Sequence, residues 1–258
     1  MPYAAIDGCR LHYRLDGPED GPPLLLSHAL GVDLEMWAPQ VERLARRFRV
    51  LCYDHRGHGG SDAPAGPYSL DRLGRDVIGL LDALGIVRAD VVGLSLGGMV
   101  ALWLGIHAPD RVGRLVPCCT TAYAGGPALW DPRIEAVRRD GMGALVDGVI
   151  GRWFSPGFRD RAPGTVDGIR RKLLAASPEG YAATCAAIRD MDQRAAIGRI
   201  RAPMLVISGT QDQGTPPERG REIAAAVPGA RFLALDAAHI ANLEQADAFT
   251  GAVEDFLA

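Results

Sequence analysis

The chain alternates between short apolar runs and longer segments whose apolar residues recur at helical spacing. Each apolar run is four to six residues long, which is typical of buried strands in a parallel sheet. Strands alternating with helices predict a mostly parallel sheet flanked by helices. Seven core strands are predicted, over residues 11–15, 23–26, 49–53, 89–94, 112–116, 204–209 and 231–235.

The clearest helix pattern runs from Leu70 to Leu84, with Ser69 as its N-cap and Gly85 at its end. The alternation stops between Cys119 and Ala202, where several helical stretches follow one another. We interpret residues from about Trp130 to Arg199 as a helical cap over the site. Residues 121–200 carry 12 Arg and Lys against 9 Asp and Glu, a pattern that suits an anionic substrate but equally an ordinary solvated helix surface.

The apolar run at residues 91–94 leads into Ser95, which stands in a G-x-S-x-G sequence with Gly93 and Gly97. Glycines there remove the Cβ atoms that would collide as a strand doubles back into a helix. A helix-like segment to His107 follows. This strand–turn–helix context predicts a nucleophilic serine rather than an ordinary turn serine.

A nucleophilic serine needs a base, and the base needs an acid that orients it. Asp212 follows the strand at 204–209, and His239 follows the next strand, at 231–235. The order Ser, Asp, His, each on a loop after a parallel strand, is that of the α/β-hydrolase triad. Such loops lie along one edge of the sheet. We therefore predict Ser95, His239 and Asp212 as the catalytic residues.

Other interpretations of these polar residues remain open. Asp212 also suits the N-cap of a helix that Pro216 and Pro217 would begin. Asp54 follows a strand as well, but its Arg-Gly-x-Gly continuation indicates a turn held by side-chain hydrogen bonds. Four histidines have no acid or nucleophile at matching topology and are interpreted as surface or loop-stapling residues: His12, His55, His58 and His107.

An oxyanion hole requires backbone N–H groups aimed at the developing alkoxide. One donor is predicted at Leu96, immediately after the nucleophile. The second is predicted at Leu30, in the loop 27–31 that follows the strand at 23–26. The donors are main-chain groups, so an apolar side chain at either position is compatible with this role.

Composition and charge exclude several classes of protein. With 258 residues, 48% of them hydrophobic, and no internal repeat, the chain is expected to form one domain around a large core. The net charge of −3 gives no footprint for nucleic acid or anionic membrane. The uncharged run 91–106 has 16 residues, fewer than the roughly 20 that span a bilayer. The first residues do not resemble a signal peptide, so we expect a cytoplasmic location.

The cysteines form no C-x-x-C pair and no Cys/His set with metal spacing, so reduced thiols are expected and no zinc site. They are Cys9, Cys52, Cys118, Cys119 and Cys185. No dinucleotide fingerprint or P-loop occurs. The reaction is therefore expected to need neither cofactor nor metal, and the oligomeric state stays open.

Two sets of motifs carry a resemblance to a known family. The core set, shared by many α/β-hydrolases, covers residues 27–31, 36–37, 53–61, 66–70 and 81–85. The more specific set lies in the cap and after the predicted base, at residues 152–156, 178–181, 189–192 and 239–245. With these motifs the chain resembles, along nearly its whole length, the 3-oxoadipate enol-lactonases of the β-ketoadipate pathway.

The resemblance implies an α/β-hydrolase fold: a mostly parallel central sheet with helices on both faces and a helical cap inserted after the sixth strand. One domain then spans 1–258, with a core of 1–121 and 201–258 and a cap of about 122–200. The implied reaction opens the ring of 3-oxoadipate enol-lactone, a small anionic lactone, through the same three catalytic residues and an acyl-enzyme.

The chain departs from this family at four positions. Cys119 stands where Asn is usual and Tyr123 where a basic residue is usual, in a segment expected to face the cap. Ala241 and Ala246 replace Ser and Pro after the predicted base. These departures keep open a paralogous esterase, lactonase, thioesterase or perhydrolase for another small ester, or a non-hydrolytic lyase. They leave the predicted triad unchanged.

The substrate carboxylate needs a cationic partner, and Arg133 is predicted to be that residue. It follows Trp130 at i+3 on the first predicted cap helix, so guanidinium and indole share a face. The planar fork of Arg matches a carboxylate with two parallel hydrogen bonds. Trp153 is predicted to add an apolar wall. The alternative, a solvated Arg133 with Trp130 packing the cap to the core, is equally compatible with the sequence.

Overall fold

One eight-stranded sheet organises the computed structural model, which describes residues 2–258. Its strands are β1 Tyr3–Ile6, β2 Cys9–Asp16, β3 Pro23–Ser27, β4 Arg49–Tyr53, β5 Ala89–Leu94, β6 Val112–Cys118, β7 Leu205–Gly209 and β8 Arg231–Leu235. The spatial order is β1-β2-β4-β3-β5-β6-β7-β8. β1 and β2 pair antiparallel, β2 pairs antiparallel with β4, and the other neighbours run parallel. The predicted mostly parallel sheet is confirmed.

All seven predicted strands are present, three with the predicted bounds and four close to them. The eighth, β1, was not predicted. It is a four-residue edge strand whose residues are alternately exposed and buried. Asp7 and Gly8, both with positive φ, connect it to β2. With β1 included, the strand before the inserted helices is the sixth, as expected.

Eleven α-helices lie between and after the strands in residues 2–258. They are α1 Ala38–Leu44, α2 Leu70–Ala83, α3 Leu96–His107, α4 Pro127–Asp140, α5 Gly143–Trp153, α6 Pro156–Arg161, α7 Pro163–Ala175, α8 Pro178–Asp190, α9 Pro217–Ala226, α10 Ala241–Glu244 and α11 Ala246–Leu257. The N-cap predicted for α2 is confirmed, since the Ser69 hydroxyl accepts from Arg72 N–H at 3.1 Å. Across the described residues, no helix combines the length and the apolar character needed to cross a membrane.

The cap consists of α4 to α8, inserted between β6 and β7. Its two ends lie side by side at a neck. Tyr123 forms an antiparallel bridge with Asp192, and Gln193 N–H donates to the Ala122 carbonyl at 2.9 Å. The Arg194 guanidinium lies 4.0 Å from the centre of the Tyr123 ring. The core therefore holds both ends of the cap at one place.

The carboxyl ends of four parallel strands carry the residues of interest. β3 leads to the loop with Leu30, β5 to Ser95, β7 to Asp212 and β8 to His239. Carboxyl ends of parallel strands share one edge of the sheet, which is where open α/β folds place their sites.

Candidate active site

Ser95 lies in a strained turn between β5 and α3, with a φ of +57° that few residues other than glycine adopt. A Cβ atom on Gly93 would collide with the Gly97 carbonyl, and one on Gly97 would collide with the Ser27 carbonyl. Ser95 N–H donates to the Cys118 carbonyl at 2.8 Å, which ties the turn to β6. The turn presents a partly exposed serine at the carboxyl edge of the sheet.

His239 and Asp212 form a buried hydrogen-bonded pair, with 2.7 Å between Nδ1 and Oδ2. The other carboxylate oxygen, Oδ1, accepts from Gly214 N–H at 2.8 Å and Thr215 N–H at 3.0 Å. The Thr215 hydroxyl donates to Oδ2 at 2.7 Å. Donors from its own loop thus hold the Asp212 carboxylate in place, and Oδ2 orients the imidazole of His239.

The charge on Asp212 is maintained by its surroundings. Burial alone would raise its pKa, but His239 and the donors from Thr215 outweigh burial, and the pKa lies below its ordinary value. An ionised Asp212 accepts the Nδ1 proton of His239. That tautomer leaves Nε2 with a free lone pair, which is the form a general base requires.

The Ser95 hydroxyl makes no hydrogen bond to His239 within residues 2–258. Catalytic hydrogen bonds of this kind often tighten only in the complex with substrate. What the fold brings together is a strained, partly exposed serine and an oriented imidazole, both on loops at the same edge of the sheet.

The two predicted oxyanion donors are main-chain N–H groups at the carboxyl edge of the sheet. Neither Leu30 N–H nor Leu96 N–H donates a hydrogen bond within the described residues. The preceding amide, Ala29 N–H, points instead to Met36 Sδ at 3.3 Å. Gly97 N–H donates to the His28 carbonyl at 3.1 Å, which ties the Leu30 loop to the serine turn. Free amides on two joined loops can stabilise a developing oxyanion.

A cluster of buried imidazoles supports the Leu30 loop. His28, His55 and His58 are fully buried, and the His28 ring centre lies 4.5 Å from that of His55 and 5.4 Å from that of His58. Of the two interpretations, surface or loop-stapling residues, burial excludes the first for His55 and His58, and the contact of His55 with Ser27 fits the second. His28 Nε2 accepts from His55 N–H at 3.0 Å, and His55 Nε2 lies 3.1 Å from Ser27 Oγ.

Burial keeps these imidazoles neutral. It lowers the pKa of His28, lowers that of His55 well below its usual value with help from the two neighbouring imidazoles, and lowers that of His58 to about 3. In an unfolded chain each would titrate near pH 6.5, at about its ordinary pKa. Below that pH, these three histidines therefore bind protons when the protein unfolds.

We expect stability to fall steeply as the pH decreases from 7 toward 4. The contribution of each neutral imidazole is complete above pH about 6.5 and is lost as the pH falls toward the folded-state pKa. Three such groups give a slope of up to about 4 kcal/mol per pH unit. Urea unfolding followed by circular dichroism at a series of pH values measures this slope.

The matched variant is His58→Asn, since an asparagine amide can keep the donor that His58 Nδ1 directs to the Arg56 carbonyl at 3.2 Å. With one imidazole fewer, the slope should decrease by about a third. An unchanged slope in this variant would show that acid sensitivity comes from other groups.

Arg133 is partly buried on the cap helix α4 and has no carboxylate partner within residues 2–258. Its Nε donates to the Tyr181 hydroxyl at 2.8 Å, and Nη2 donates to the same oxygen. The guanidinium carbon lies 5.5 Å from the ring centres of both Trp130 and Tyr181. Tyr181 in turn lies against Gly31, where an added Cβ would come 2.9 Å from Tyr181 Cε2. One side chain therefore separates Arg133 from the Leu30 loop.

Trp153 lies beside the candidate base. Its ring centre is 5.9 Å from that of His239, and its carbonyl accepts from Ile240 N–H at 3.1 Å. The neighbouring Arg152 also has no carboxylate partner in the described part of the chain. Burial and the charge of Arg133 lower the pKa of Arg152. The cap therefore holds two guanidinium groups close enough to repel each other electrostatically.

Cys119 lies beside the candidate acid, and Tyr123 lies where the cap joins the core. The Cys119 side chain is fully buried, and burial together with the nearby Asp212 charge raises the pKa of its thiol. Tyr123 belongs to the neck of the cap, under Arg194. Cys119 directly follows the end of β6 and is covered by protein close to the candidate acid, so the expectation that this segment faces the cap stays a prediction.

Sequence reasoning missed two side chains that complete the arrangement. Thr215 lies three residues after Asp212, and such a spacing is typical of side-chain-capped turns, so a local signal existed. Tyr181 comes from α8, about fifty residues after Arg133, and only the packing of α8 on α4 brings them together.

Comparison with known proteins finds relatives of this chain over nearly its whole length. A family profile described as alpha/beta hydrolase fold matches residues 22–161. The 3-oxoadipate enol-lactonase 2 of Acinetobacter baylyi is 40% identical over 244 residues, which cover 95% of this chain and 91% of that protein. The 3-oxoadipate enol-lactonase 1 of the same organism is 36% identical, covering 94% of this chain and 91% of that protein.

A solved structure extends the likeness to three dimensions. The enol-lactonase from Burkholderia xenovorans LB400 is 48% identical, covers 99% of both chains and superimposes with a TM-score of 0.98. At this coverage the likeness includes the cap as well as the sheet.

Proposed function

The chain belongs to the 3-oxoadipate enol-lactonase family of α/β-hydrolases, and from this premise we propose that it hydrolyses 3-oxoadipate enol-lactone to 3-oxoadipate with Ser95, His239 and Asp212 as its catalytic triad. It is an enzyme, a hydrolase acting on ester bonds. The observation that carries the substrate assignment is the partly buried Arg133, which lacks a carboxylate partner within residues 2–258 and lies one side chain from the Leu30 loop.

Acylation begins when Ser95 Oγ attacks the lactone carbonyl carbon and His239 Nε2 takes the serine proton. Asp212 stabilises the imidazolium that forms, and the Leu30 and Leu96 N–H groups donate to the oxyanion. Collapse of the tetrahedral intermediate breaks the ring C–O bond. The leaving oxygen takes the proton from His239, which gives an enol. The enol tautomerises to the ketone while the acyl group of the substrate stays esterified to Ser95.

Deacylation repeats the sequence with water. His239 takes a proton from the water as its oxygen attacks the acyl carbon, and the same two amides stabilise the second oxyanion. Ser95 Oγ leaves and recovers its proton from His239. The product is a dicarboxylate, with one carboxylate from the opened lactone and one already present in the substrate.

The carboxylate already present is the group that Arg133 binds in this proposal. Its guanidinium offers donors in a planar fork, and Arg152 adds positive charge nearby. Trp130 and Trp153 supply apolar walls, Trp130 under the guanidinium and Trp153 beside His239. The arrangement orients the ring so that its carbonyl reaches Ser95.

Replacing Arg133 with methionine should lower kcat/KM for the anionic lactone about tenfold to a hundredfold. This is the effect of losing a hydrogen bond to a charged group, which contributes roughly 1.5 to 3 kcal/mol. A neutral aryl ester should be hydrolysed nearly as fast as by the wild type, because it offers no carboxylate. The measurement is a steady-state comparison of both substrates.

Arg138→Met is the matched control, since Arg138 is on the same helix but is exposed and paired with Glu179 at 2.8 Å. An equal loss on both substrates in Arg133→Met would indicate cap packing. A wild-type enzyme that prefers the neutral ester to the lactone would contradict the proposed substrate and favour a paralogous esterase.

A further inference from the structure

Glu244 is a buried acid five residues after the candidate base. Its carboxylate accepts three hydrogen bonds. The Ser155 hydroxyl donates to Oε1, while Ala238 N–H and Ser155 N–H donate to Oε2 at 3.1 and 3.3 Å. No Lys, Arg or His pairs with this carboxylate within the described residues. Burying a charge without a counterion is costly unless donors satisfy it, as these three do.

These donors come from two different parts of the molecule. Ala238 directly precedes His239 on the loop after β8, whereas Ser155 is the N-cap of the cap helix α6, where its hydroxyl accepts from Phe158 N–H at 3.2 Å. One carboxylate therefore joins the backbone next to the candidate base to the first turn of a cap helix.

Two further contacts run parallel to this link. Trp153, two residues before Ser155, lies against the His239 ring, and its carbonyl accepts from Ile240 N–H at 3.1 Å. His239 is thus held on both sides by backbone groups tied to the same cap segment. A shift of Ser155 would act on both ties.

The neighbouring polar residues of the same motif brace the loop elsewhere. Asn242 Nδ2 donates to the Met36 carbonyl and to Gln40 Oε1, each at 3.0 Å. Gln245 Nε2 donates to the Asp236 carbonyl at 2.7 Å. Both sets of partners lie outside the cap helices. Of these three side chains, only that of Glu244 contacts the cap.

We propose that Glu244 is a positioning residue, which fixes the His239 loop through Ala238 N–H and couples it to the cap through Ser155. The proposal rests on the function above, in which His239 is the general base. It predicts that loss of either partner misplaces the imidazole. A misplacement of about 1 Å is enough to cost up to about a hundredfold in rate.

The test uses two probes that do not depend on the lactone. A fluorophosphonate reports attack by Ser95, because a P–O bond forms as fluoride leaves and the serine proton passes to His239. Hydrolysis of p-nitrophenyl acetate reports turnover. Second-order rate constants are measured on the full chain, well below the melting temperature of each variant, so that only folded protein is compared.

Glu244→Ala and Ser155→Ala should each lower both rate constants about ten- to a hundredfold. The double variant should be no slower than Glu244→Ala, because the two residues act through one link. Glu244→Gln should stay within about threefold of wild type. Its amide oxygen can keep the two N–H donors, and its amide NH2 can donate to Ser155 Oγ.

Ser177→Ala is the matched control, since Ser177 is the N-cap of another cap helix, α8, and accepts from Gly180 N–H at 3.1 Å without touching Glu244. It should lose a similar amount of thermal stability with unchanged rate constants. Rates in Ser155→Ala equal to those in Ser177→Ala would overturn the inference, and this comparison is decisive even if Glu244→Ala does not fold.

The outcomes separate this inference from the proposed function. A wild-type protein that reacts at Ser95 but does not hydrolyse the lactone would refute the substrate and leave the Glu244 comparison intact. A wild-type protein that does not react at Ser95 would overturn the triad and this inference with it. Slow reaction in Glu244→Gln equal to that in Glu244→Ala would also contradict the hydrogen-bond link.

Discussion

Ser95→Ala should lower kcat for lactone hydrolysis by about 10⁴- to 10⁶-fold, the cost typical of removing a triad nucleophile. Without Oγ no acyl-enzyme forms, and only the oxyanion donors and the binding site remain to assist direct attack by water. The alanine side chain fits the turn, because the φ of +57° and the glycines around it are unchanged. Intact mass after fluorophosphonate treatment should show one adduct on the wild type and none on the variant.

The control for this experiment is Ser69→Ala, which removes an exposed helix-capping hydroxyl on α2. It should react and turn over like the wild type. An adduct that persists in Ser95→Ala would place the nucleophile elsewhere and would refute the assignment of Ser95.

Asp212→Asn is expected to lower kcat about 10⁴-fold with little change in the fold. The Asn amide oxygen can still accept from Gly214 and Thr215 N–H, so the loop keeps its shape. The amide NH2 then faces His239 Nδ1 and donates to it, which moves the imidazole proton to Nε2. In that tautomer His239 cannot accept the proton of Ser95. Steady-state kinetics with the lactone measures the loss.

Asp236→Asn is the matched control, since Asp236 also precedes His239 but is exposed and contacts Thr210 and Gln211. It should retain wild-type rates. A rate for Asp212→Asn within tenfold of wild type would contradict the assignment of Asp212 as the acid that orients the base.

The central strands β3, β4, β5 and β7 could be predicted because they are buried almost throughout and their sequences are mainly apolar. β1 was not predicted because it is a short edge strand with only every second residue buried. Its signal was in the turn. Asp7 and Gly8 both have positive φ, and Asp-Gly is a typical two-residue hairpin turn.

The candidate site divides in the same way. Ser95, Asp212 and His239 follow strands, so chain order alone places them at one edge of the sheet. The contacts of Arg133 with Tyr181 and of Glu244 with Ser155 join residues 48 and 89 positions apart. Helix packing in the cap decides both contacts, and no local pattern in a single sequence specifies that packing.

The neck of the cap has a consequence for how this enzyme family evolves. Tyr123 and Asp192 pair at the point where the cap leaves and rejoins the core, so the two ends of about seventy residues are already held together. The free energy of closing a loop grows only with the logarithm of its length. A lineage can therefore lengthen, shorten or exchange this segment without rebuilding the sheet, and the preference for one ester over another can evolve separately from the machinery that cleaves it.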